Sequence, residues 1–260
     1  MPLDELDRLP LLAPQWAAPA GVGAALSTRA GGVSRGPYAG ANLGIAVGDE
    51  PEAVAANRAC FAAAIGARPV WLQQVHGVRV LRVDAGSADA APAQADAAWT
   101  DVPGVACTVQ VADCLPVLLA TADGGAVAAA HAGWRGLAAG VLEATVAALC
   151  AARGCAPQAL CAWLGPCIGP RHFEVGADVL AVFGAAPPRA DDAFVPSRPR
   201  DGSPRWLADL QQLAQRRLQR AGVQRIDRLA ACTVSEPQRF YSFRRDRVTG
   251  RQAAAVWLRG

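Results

Sequence analysis

The chain has 260 residues, of which 52% are hydrophobic and 18% are charged, with a formal net charge of +3 at pH 7. This composition excludes a disordered or fibrous protein, and the small net charge predicts no nucleic-acid partner. All 25 positions that hold lysine or arginine are arginine, which excludes Schiff-base catalysis by lysine and a lysine-dependent phosphate loop.

The N-terminal residues and the hydropathy pattern predict a cytoplasmic location. Asp4, Glu5 and Asp7 stand where a secretory signal peptide carries positive charge. No apolar run of membrane-spanning length is free of glycine or charge, so no membrane partner is predicted. Six of the eight cysteines lie singly in apolar segments, where we expect small buried side chains: Cys60, Cys107, Cys150, Cys155, Cys161 and Cys232.

The first half of the chain predicts a strand, a glycine-rich segment, a helix and then several strands. Gly21–Thr28 is the first predicted strand, and Arg29–Gly48 is too irregular for a core element. Long irregular segments in compact domains are often functional. Asp49 and Glu52 match a capping box at the start of a helix that Gly66 ends. Further strands are predicted at Val70–Val75, Val78–Val83, Asp96–Thr100, Val105–Val111, Leu115–Thr121 and Ala126–His131.

The second half mixes helices and strands without strict alternation. Helices are predicted at Leu137–Arg153, Asp178–Phe183 and Trp206–Ala221, and Pro187–Pro204 is a predicted surface loop. Strands are predicted at Leu160–Leu164, Phe173–Val175, Arg225–Val234, Phe240–Phe243 and Ala253–Leu258. Because no repeat or linker interrupts the chain, we predict one domain over residues 1–260, of the α/β class in its α+β form. Its mixed sheets are expected to lie in layers with flanking helices.

A cysteine and two histidines stand at turn-like positions. Cys114 precedes one predicted strand and His131 ends the next, and a turn at 123–125 joins the two strands. His76 lies with Gly77 in a predicted turn between two further strands. Two imidazoles and a thiolate are good zinc ligands, and three protein ligands leave a fourth position open, as catalytic sites require. The spacing matches no short metal motif, so a buried cysteine with two hydrogen-bonded histidines is an open alternative.

The same residues allow a second chemistry, with Cys114 as nucleophile and His131 as its general base. This interpretation and zinc binding exclude each other in the resting state, because a zinc-bound thiolate is a poor free nucleophile. Asp113 is a candidate catalytic carboxylate, either a general base or a group that orients a histidine. An ordinary turn residue is the alternative for Asp113.

Several arginines are candidate ligands for phosphate. Arg135 lies near a predicted helix start, where a guanidinium suits phosphate or carboxylate. Arg29 and Asn42 lie in the glycine-rich segment, whose backbone N–H groups suit an anionic or polar ligand. Arg244 belongs to an arginine-rich stretch around a Thr249–Gly250 turn, which is either an anion-binding hairpin or a solvated tip.

These segments together resemble one known family from Ser27 to Leu258. The resemblance is carried, in order, by STRAGGVS, NLG, QQVHG, ADCLPV, AAHAGWRG, LGPCIGP, FEV, YSFRRD and TGR. The family is that of the laccase-domain proteins, once called multicopper polyphenol oxidases. Its members are also described as zinc-dependent purine nucleoside phosphorylases and, in some bacteria, as peptidoglycan editing factors.

The resemblance implies a layered α/β domain and a Zn²⁺ site formed by His76, Cys114 and His131. It implies phosphorolysis of adenosine, inosine and methylthioadenosine, together with adenosine deamination, and hence nucleosides and phosphate as small-molecule partners. The main alternative is a cytoplasmic hydrolase that edits peptidoglycan precursors through zinc or Cys114. A third hypothesis is a non-enzymatic module that binds a partner through Arg29–Gly48.

The residues themselves argue against the older copper description. A multicopper oxidase requires several copper ions and about ten histidine ligands, since imidazole is the main copper ligand besides cysteine and methionine. This chain has three histidines and one methionine. Multicopper oxidase chemistry is therefore excluded.

Overall fold

Two mixed β-sheets pack face to face at the centre of the computed structural model, which describes residues 9–184 and 192–260. Its strands are β1 (Leu11–Leu12), β2 (Val22–Ser27), β3 (Arg68–Val70), β4 (Val80–Arg82), β5 (Ala97–Thr100), β6 (Val105–Val111), β7 (Leu115–Thr121), β8 (Val127–Ala132), β9 (Leu160–Leu164), β10 (Glu174–Val175), β11 (Phe194–Arg200), β12 (Ser203–Ala208), β13 (Arg225–Arg228) and β14 (Gln252–Leu258). Its helices are α1 (Pro51–Ile65), α2 (Trp134–Ala139), α3 (Val141–Arg153), α4 (Ala177–Val182), α5 (Leu210–Arg220) and α6 (Phe243–Asp246).

The two central sheets differ in size and share a mixed topology. One has five strands in the order β1-β2-β14-β6-β3, and the other has six in the order β13-β9-β7-β8-β5-β4. Edge strands β3, β4 and β13 pair in parallel with their neighbours, while the other pairs of these two sheets are antiparallel. A third, antiparallel sheet has the order β10-β12-β11. The predicted α/β fold with mixed, layered sheets is confirmed.

Burial on both faces explains the continuous apolar sequence of the central strands. In β7, Leu118 packs into the core between the sheets, whereas Val117 and Leu119 pack on the opposite face with α3 and α5. Successive strand side chains point to opposite faces, so each face receives alternate residues. Helix α1 covers the outer face of the five-stranded sheet, where Phe61 packs with Ala255 of β14. The layer order is therefore helix, sheet, sheet, helix.

The helix predicted from Asp49 to Gly66 is confirmed as α1, Pro51–Ile65, but its capping box is wrong. Glu50 precedes the helix, and no side chain caps its first turn. The carboxylate of Asp49 instead accepts hydrogen bonds from Ser34 Oγ at 2.6 Å and from Asn42 Nδ2 at 2.8 Å. Asp49 therefore ties down the glycine-rich segment rather than the helix.

The predicted helix Leu137–Arg153 is two helices, α2 and α3, separated by Gly140. Gly140 has φ of +107°, a left-handed conformation that glycine adopts at little cost and that ends α2. The break lets α2 begin earlier than predicted, at Trp134, directly after the strand that carries His131.

The predicted loop Pro187–Pro204 is wrong where the structure describes it, and residues 187–191 lie outside the described residues. Strands β11 and β12 form a hairpin there, with Phe194 and Trp206 buried. The predicted helix Trp206–Ala221 begins only at Leu210, because Trp206–Ala208 belongs to β12 and Asp209 caps the helix by accepting from Gln212 N. The apolar residues of β12 and those of α5 follow one another directly, so the sequence pattern predicts a single helix.

Several other predicted strands are shorter or absent. Strand β3 ends at Val70, and β4 lies in the other sheet, so His76 and Gly77 do not close a hairpin between them. The predicted strand Arg225–Val234 is reduced to β13, Arg225–Arg228. Phe240–Phe243 is not a strand, because the backbone N–H of Tyr241 donates to the side chain of Gln252 rather than to a neighbouring strand. None of the described helices has the length and apolar character that a membrane crossing requires.

Candidate metal centre

The β7–β8 hairpin brings Cys114 and His131 together. The two strands pair in antiparallel register, with Pro116 opposite His131 and Leu115 opposite Ala132. Cys114 directly precedes β7 and therefore lies at the same end of the hairpin as His131. The predicted placement of these two residues at the open end of a strand pair is confirmed.

His76 reaches the same point from a loop that is fixed to both central sheets. Gln74 exchanges two hydrogen bonds of 2.8 Å with the backbone of Gln110 in β6. His76 itself has φ of +60°, a left-handed conformation that is unfavourable for a residue with a side chain. Its Nε2 lies 3.7 Å from Sγ of Cys114, and its ring centroid lies 4.7 Å from that of His131.

The three candidate ligand atoms are close enough to share one metal ion. One ligand atom from each of His76, Cys114 and His131 lies within 4.8 Å of the others. Zinc bonds of about 2.3 Å to sulfur and about 2.0 Å to nitrogen place these atoms about 3.6 Å apart at a tetrahedral angle. The Sγ–Nε2 distance of 3.7 Å between Cys114 and His76 agrees with this separation. Three protein ligands would leave a fourth position for a substrate or water.

Asp96 is the central supporting residue, and no motif in the sequence predicts its role. Its Oδ1 lies 2.8 Å from Nδ1 of His131 and accepts the backbone N–H of His76 at 2.8 Å. Its Oδ2 accepts the N–H groups of Val75 and Gly77 at 3.2 and 2.7 Å. Because Nδ1 of His131 faces Asp96, Nε2 is the nitrogen that faces the ligand cluster. The predicted role of orienting a histidine belongs to Asp96 and not to Asp113.

The three central groups shift one another's pKa. Burial acts to raise the pKa of Cys114, but the imidazoles of His131 and His76 outweigh it and lower the pKa to about 6. Burial acts to lower the pKa of His131, but Cys114 and Asp96 raise it to about 9. Burial also acts to raise the pKa of Asp96, but His131 and the N–H groups of Gly77 and Val75 lower it below its usual value. A thiolate next to these groups is a prepared metal ligand.

Asp113 has both carboxylate oxygens occupied by the protein. Oδ1 accepts from Thr233 Oγ1 and Oδ2 from the backbone N–H of Arg244, each at 2.6 Å. Asp113 has φ of +93°, a strained conformation for a residue other than glycine. These contacts anchor α6, which carries Arg244, to the strand end next to Cys114. The arrangement favours a positioning role for Asp113 over general-base catalysis.

A cleft of about 830 Å³ opens above the ligand cluster and is strongly basic. Five arginines line it: Arg58, Arg135, Arg244, Arg247 and Arg251. Asp113 is the one carboxylate among the described lining residues. None of the five arginines forms an ion pair with a carboxylate in the part of the chain that the structure describes. Such unneutralised guanidiniums suit an anionic ligand.

The predicted phosphate ligands divide into two groups. Arg135 and Arg244 line the cleft, with Arg135 stacked 4.3 Å from the ring centroid of Trp134. Arg29 and Asn42 do not line it. Arg29 donates to Pro237 O at 3.1 Å and stacks on Tyr241, while the buried side chain of Asn42 bonds to Gly44, Asp49 and Arg251. These two residues instead hold the glycine-rich segment in place, and its residues 44–47 line the cleft.

The sequence pattern does not predict two of the cleft residues, because their position depends on packing between distant segments. Arg58 of α1 lies 3.9 Å from the ring centroid of Trp71, and both line the cleft. On the sequence Arg58 is one arginine on a helix, with nothing that marks it as functional. His172 does not line the cleft, and its Nε2 lies 2.8 Å from Ser235 Oγ.

Comparison with known proteins places this arrangement in a family. Residues 23–259 match the family described as multi-copper polyphenol oxidoreductase laccase. The chain is 50% identical over 247 residues to a Pseudomonas aeruginosa protein named purine nucleoside phosphorylase PA4543, covering 95% of this chain and 98% of that one. It is 48% identical over 250 residues to purine nucleoside phosphorylase YfiH of Escherichia coli, again covering 95% and 98% of the two chains.

Solved structures agree with the sequence comparison. The Neisseria meningitidis protein NMB0706 superposes with a TM-score of 0.87 at 45% identity, covering 96% of this chain and 99% of that one. YlmD of Geobacillus stearothermophilus superposes with a TM-score of 0.84 at 33% identity, covering 96% and 100%. This chain therefore belongs to the family described as multi-copper polyphenol oxidoreductase laccase, to which its motifs pointed.

Proposed function

We propose that this protein is a zinc-dependent purine nucleoside phosphorylase that acts on adenosine, inosine and methylthioadenosine, and that the same site deaminates adenosine. The observation that carries the proposal is one cleft in which His76, Cys114 and His131 converge beside five arginines without described carboxylate partners. Phosphorolysis requires a site for phosphate next to a site for a nucleoside, and arginines beside aromatic side chains in one cleft support such an arrangement. The names of the Pseudomonas and Escherichia relatives support this activity.

The ligand set favours zinc over copper. Two imidazoles and one thiolate form a typical set for catalytic zinc, and the open fourth position is available to a substrate or water. When bound, zinc supplies Lewis-acid chemistry at the base of the cleft. The family description names several coppers, but three histidines in the whole chain are too few to ligate them.

The arginines bind and orient phosphate in this proposal. The side chain of Arg135 makes no hydrogen bond to the part of the chain that the structure describes, and its guanidinium can donate to a ligand. Arg244 is held by its backbone bond to Asp113, and its Nη1 donates to His172 O at 3.0 Å and to Glu174 O at 3.5 Å. Their positive charges neutralise phosphate and hold it for attack on the anomeric carbon of the ribose.

The apolar walls of the cleft suit the purine base. Trp71, Trp134, Phe173 and Phe243 supply aromatic surface to the lining. A planar base gains from stacking on such rings and on the faces of nearby guanidiniums. Burial of the base against these walls also excludes water from the glycosidic bond, which favours phosphorolysis over hydrolysis.

The test is incubation of zinc-loaded protein with each nucleoside, with and without phosphate. We expect ribose 1-phosphate with adenine or hypoxanthine, methylthioribose 1-phosphate with adenine from methylthioadenosine, and ammonia from adenosine. Arg135→Gln is expected to raise the KM for phosphate about tenfold or more, because a charged hydrogen bond contributes about 1.5–3 kcal/mol. Arg259→Gln is the control, because its guanidinium lies outside the cleft and donates to Ala20 O. Absence of all these products would refute the proposal.

The second candidate is the hydrolase that edits peptidoglycan precursors, and the position of Cys114 between two imidazoles favours it. A Cys114 nucleophile predicts that activity survives chelation and is lost after iodoacetamide treatment, whereas a zinc enzyme predicts loss on chelation and recovery with zinc. The non-enzymatic hypothesis predicts that His131→Ala leaves cellular function intact. These outcomes separate the three hypotheses.

A further inference from the structure

Helix α3 ends in a backbone motif that brings two cysteines together, away from the metal centre. Gly154 follows the helix with φ of +59°, and its N–H donates to the carbonyl of Cys150. The N–H of Cys155 donates to the same carbonyl at 3.1 Å. In a Schellman motif the residue after the left-handed glycine packs against a residue in the last turn of the helix, usually through apolar side chains. In this chain these two positions are Cys155 and Cys150. Here both contacting side chains are thiols.

The two thiols are partly open to solvent. Cys150 and Cys155 are free and partly exposed, contrary to the sequence prediction that they are buried. Both pack against the same apolar cluster as the buried face of α3. Cys107 and Cys161 are buried, as predicted, within the sheets. Cys150 and Cys155 are close in sequence and are joined through the turn at Gly154. A bond between their sulfur atoms therefore requires little rearrangement of the backbone.

We propose that Cys150 and Cys155 form a reversible thiol–disulfide site whose substrates are low-molecular-weight disulfides. The Cys155 thiolate attacks one sulfur of a disulfide RSSR, forms a mixed disulfide and releases one RSH, which carries the proton of Cys155. Cys150 then attacks the Cys155 sulfur, closes the Cys150–Cys155 bond and releases the second RSH with the proton of Cys150. The protein loses two electrons and two protons, and RSSR is reduced to two RSH.

Burial of Cys150 favours this order of attack. Burial, together with the neighbouring Cys155, raises the pKa of Cys150 to about 11, so Cys150 is the weaker first nucleophile.

The site is remote from the cleft. Helix α3 begins next to α2, which carries Arg135. Because α3 has 13 residues, its C-terminal end lies about 20 Å from this beginning. Oxidation at Cys150 and Cys155 is therefore expected to leave zinc content unchanged.

The experiment treats zinc-loaded protein with oxidised glutathione, blocks free thiols by alkylation, and maps cysteine peptides by mass spectrometry. We expect an internal Cys150–Cys155 disulfide and unchanged zinc content in the wild type. Cys150→Ser is expected to stop at a glutathione adduct on Cys155, whereas Cys155→Ser is expected to leave Cys150 unmodified. Cys60, a partly exposed single thiol of α1, is the internal control and is expected to form at most an adduct.

A second reagent tests proximity without oxidation. A trivalent arsenical such as phenylarsine oxide binds two adjacent thiols, so zinc-loaded wild type is expected to bind one more equivalent than either serine variant. Thermal denaturation checks that both variants fold. A stable glutathione adduct on wild-type Cys155, or equal arsenical binding by all three proteins, would overturn the proposal.

Discussion

The carboxylate of Asp96 joins two of the three candidate metal ligands, because its Oδ1 contacts Nδ1 of His131 and also accepts the backbone N–H of His76, each at 2.8 Å. The side chain of Asp96 is fully buried, so both contacts are shielded from water. One residue thus fixes the ring orientation of one ligand and the backbone of the other. Supporting carboxylates of this kind hold a metal-binding histidine in the required tautomer.

Replacing Asp96 with asparagine is expected to weaken zinc binding about 10- to 100-fold, because His131 loses its orienting carboxylate. Competition with a chromophoric chelator measures the affinity. Asp123→Asn is the matched control, since Asp123 lies in the turn at the opposite end of the β7–β8 hairpin and pairs with Arg153. An Asp96→Asn protein with wild-type zinc affinity would contradict the assigned role.

Gly133→Ala is expected to disrupt the metal centre by steric contact alone. A Cβ at this position would lie 2.7 Å from Cδ2 of His76 and 3.0 Å from Sγ of Cys114. The backbone of Gly133, with φ of −63°, accepts alanine without strain, so the effect arises from the displaced ligands. We expect zinc affinity to fall at least about tenfold, which is about 1.4 kcal/mol. Gly21→Ala, where a Cβ meets no atom within 4 Å, is expected to retain full affinity.

Asp113→Asn separates positioning from general-base catalysis. Asparagine keeps one acceptor but places an N–H₂ group against either Thr233 or the backbone N–H of Arg244, so the free energy of unfolding is expected to fall by about 1–3 kcal/mol. The KM for phosphate is expected to rise because α6 and Arg244 lose their anchor. The pH profile of kcat is expected to keep its shape. Loss of the acidic limb of that profile, with KM unchanged, would instead identify Asp113 as the base.

Zinc binding is expected to release about one proton near pH 7.5. With pKa values of about 6 for Cys114 and about 9 for His131, the metal-free site holds a thiolate beside a protonated imidazole. Zinc requires the neutral imidazole, so the proton of His131 must leave. Affinity is therefore expected to rise as pH increases toward 9 and to fall on acidification. Calorimetry in two buffers of different ionisation enthalpy measures the release, and a value of zero would show that His131 is already neutral.

The sequence predicted the central strands well and the peripheral elements poorly. Strands β6 and β7 were predicted with their observed bounds, because residues buried on both faces give an uninterrupted apolar run with clear turns at each end. The β11–β12 hairpin was missed, because its first strand carries two prolines and two arginines and only its packing against the core identifies it as a strand. The apolar periodicity likewise predicts one continuous helix where Gly140 separates α2 from α3.

The sequence by itself determined the pairing of Cys114 with His131, because an antiparallel hairpin with a tight turn brings its two open ends together wherever the rest of the chain lies. His76 and Asp96 lie 38 and 18 residues before Cys114, and no local rule connects either of them to the hairpin. The tertiary structure alone places them beside the hairpin. Strand β5, which directly follows Asp96, pairs with β8. The buried carboxylate of Asp96 accepts three backbone N–H groups of the His76 loop and contacts the imidazole of His131. The same packing places Arg58 in the lining of the cleft and leaves Arg29 and Asn42 outside it. Contacts between distant segments decide which side chains share a cavity.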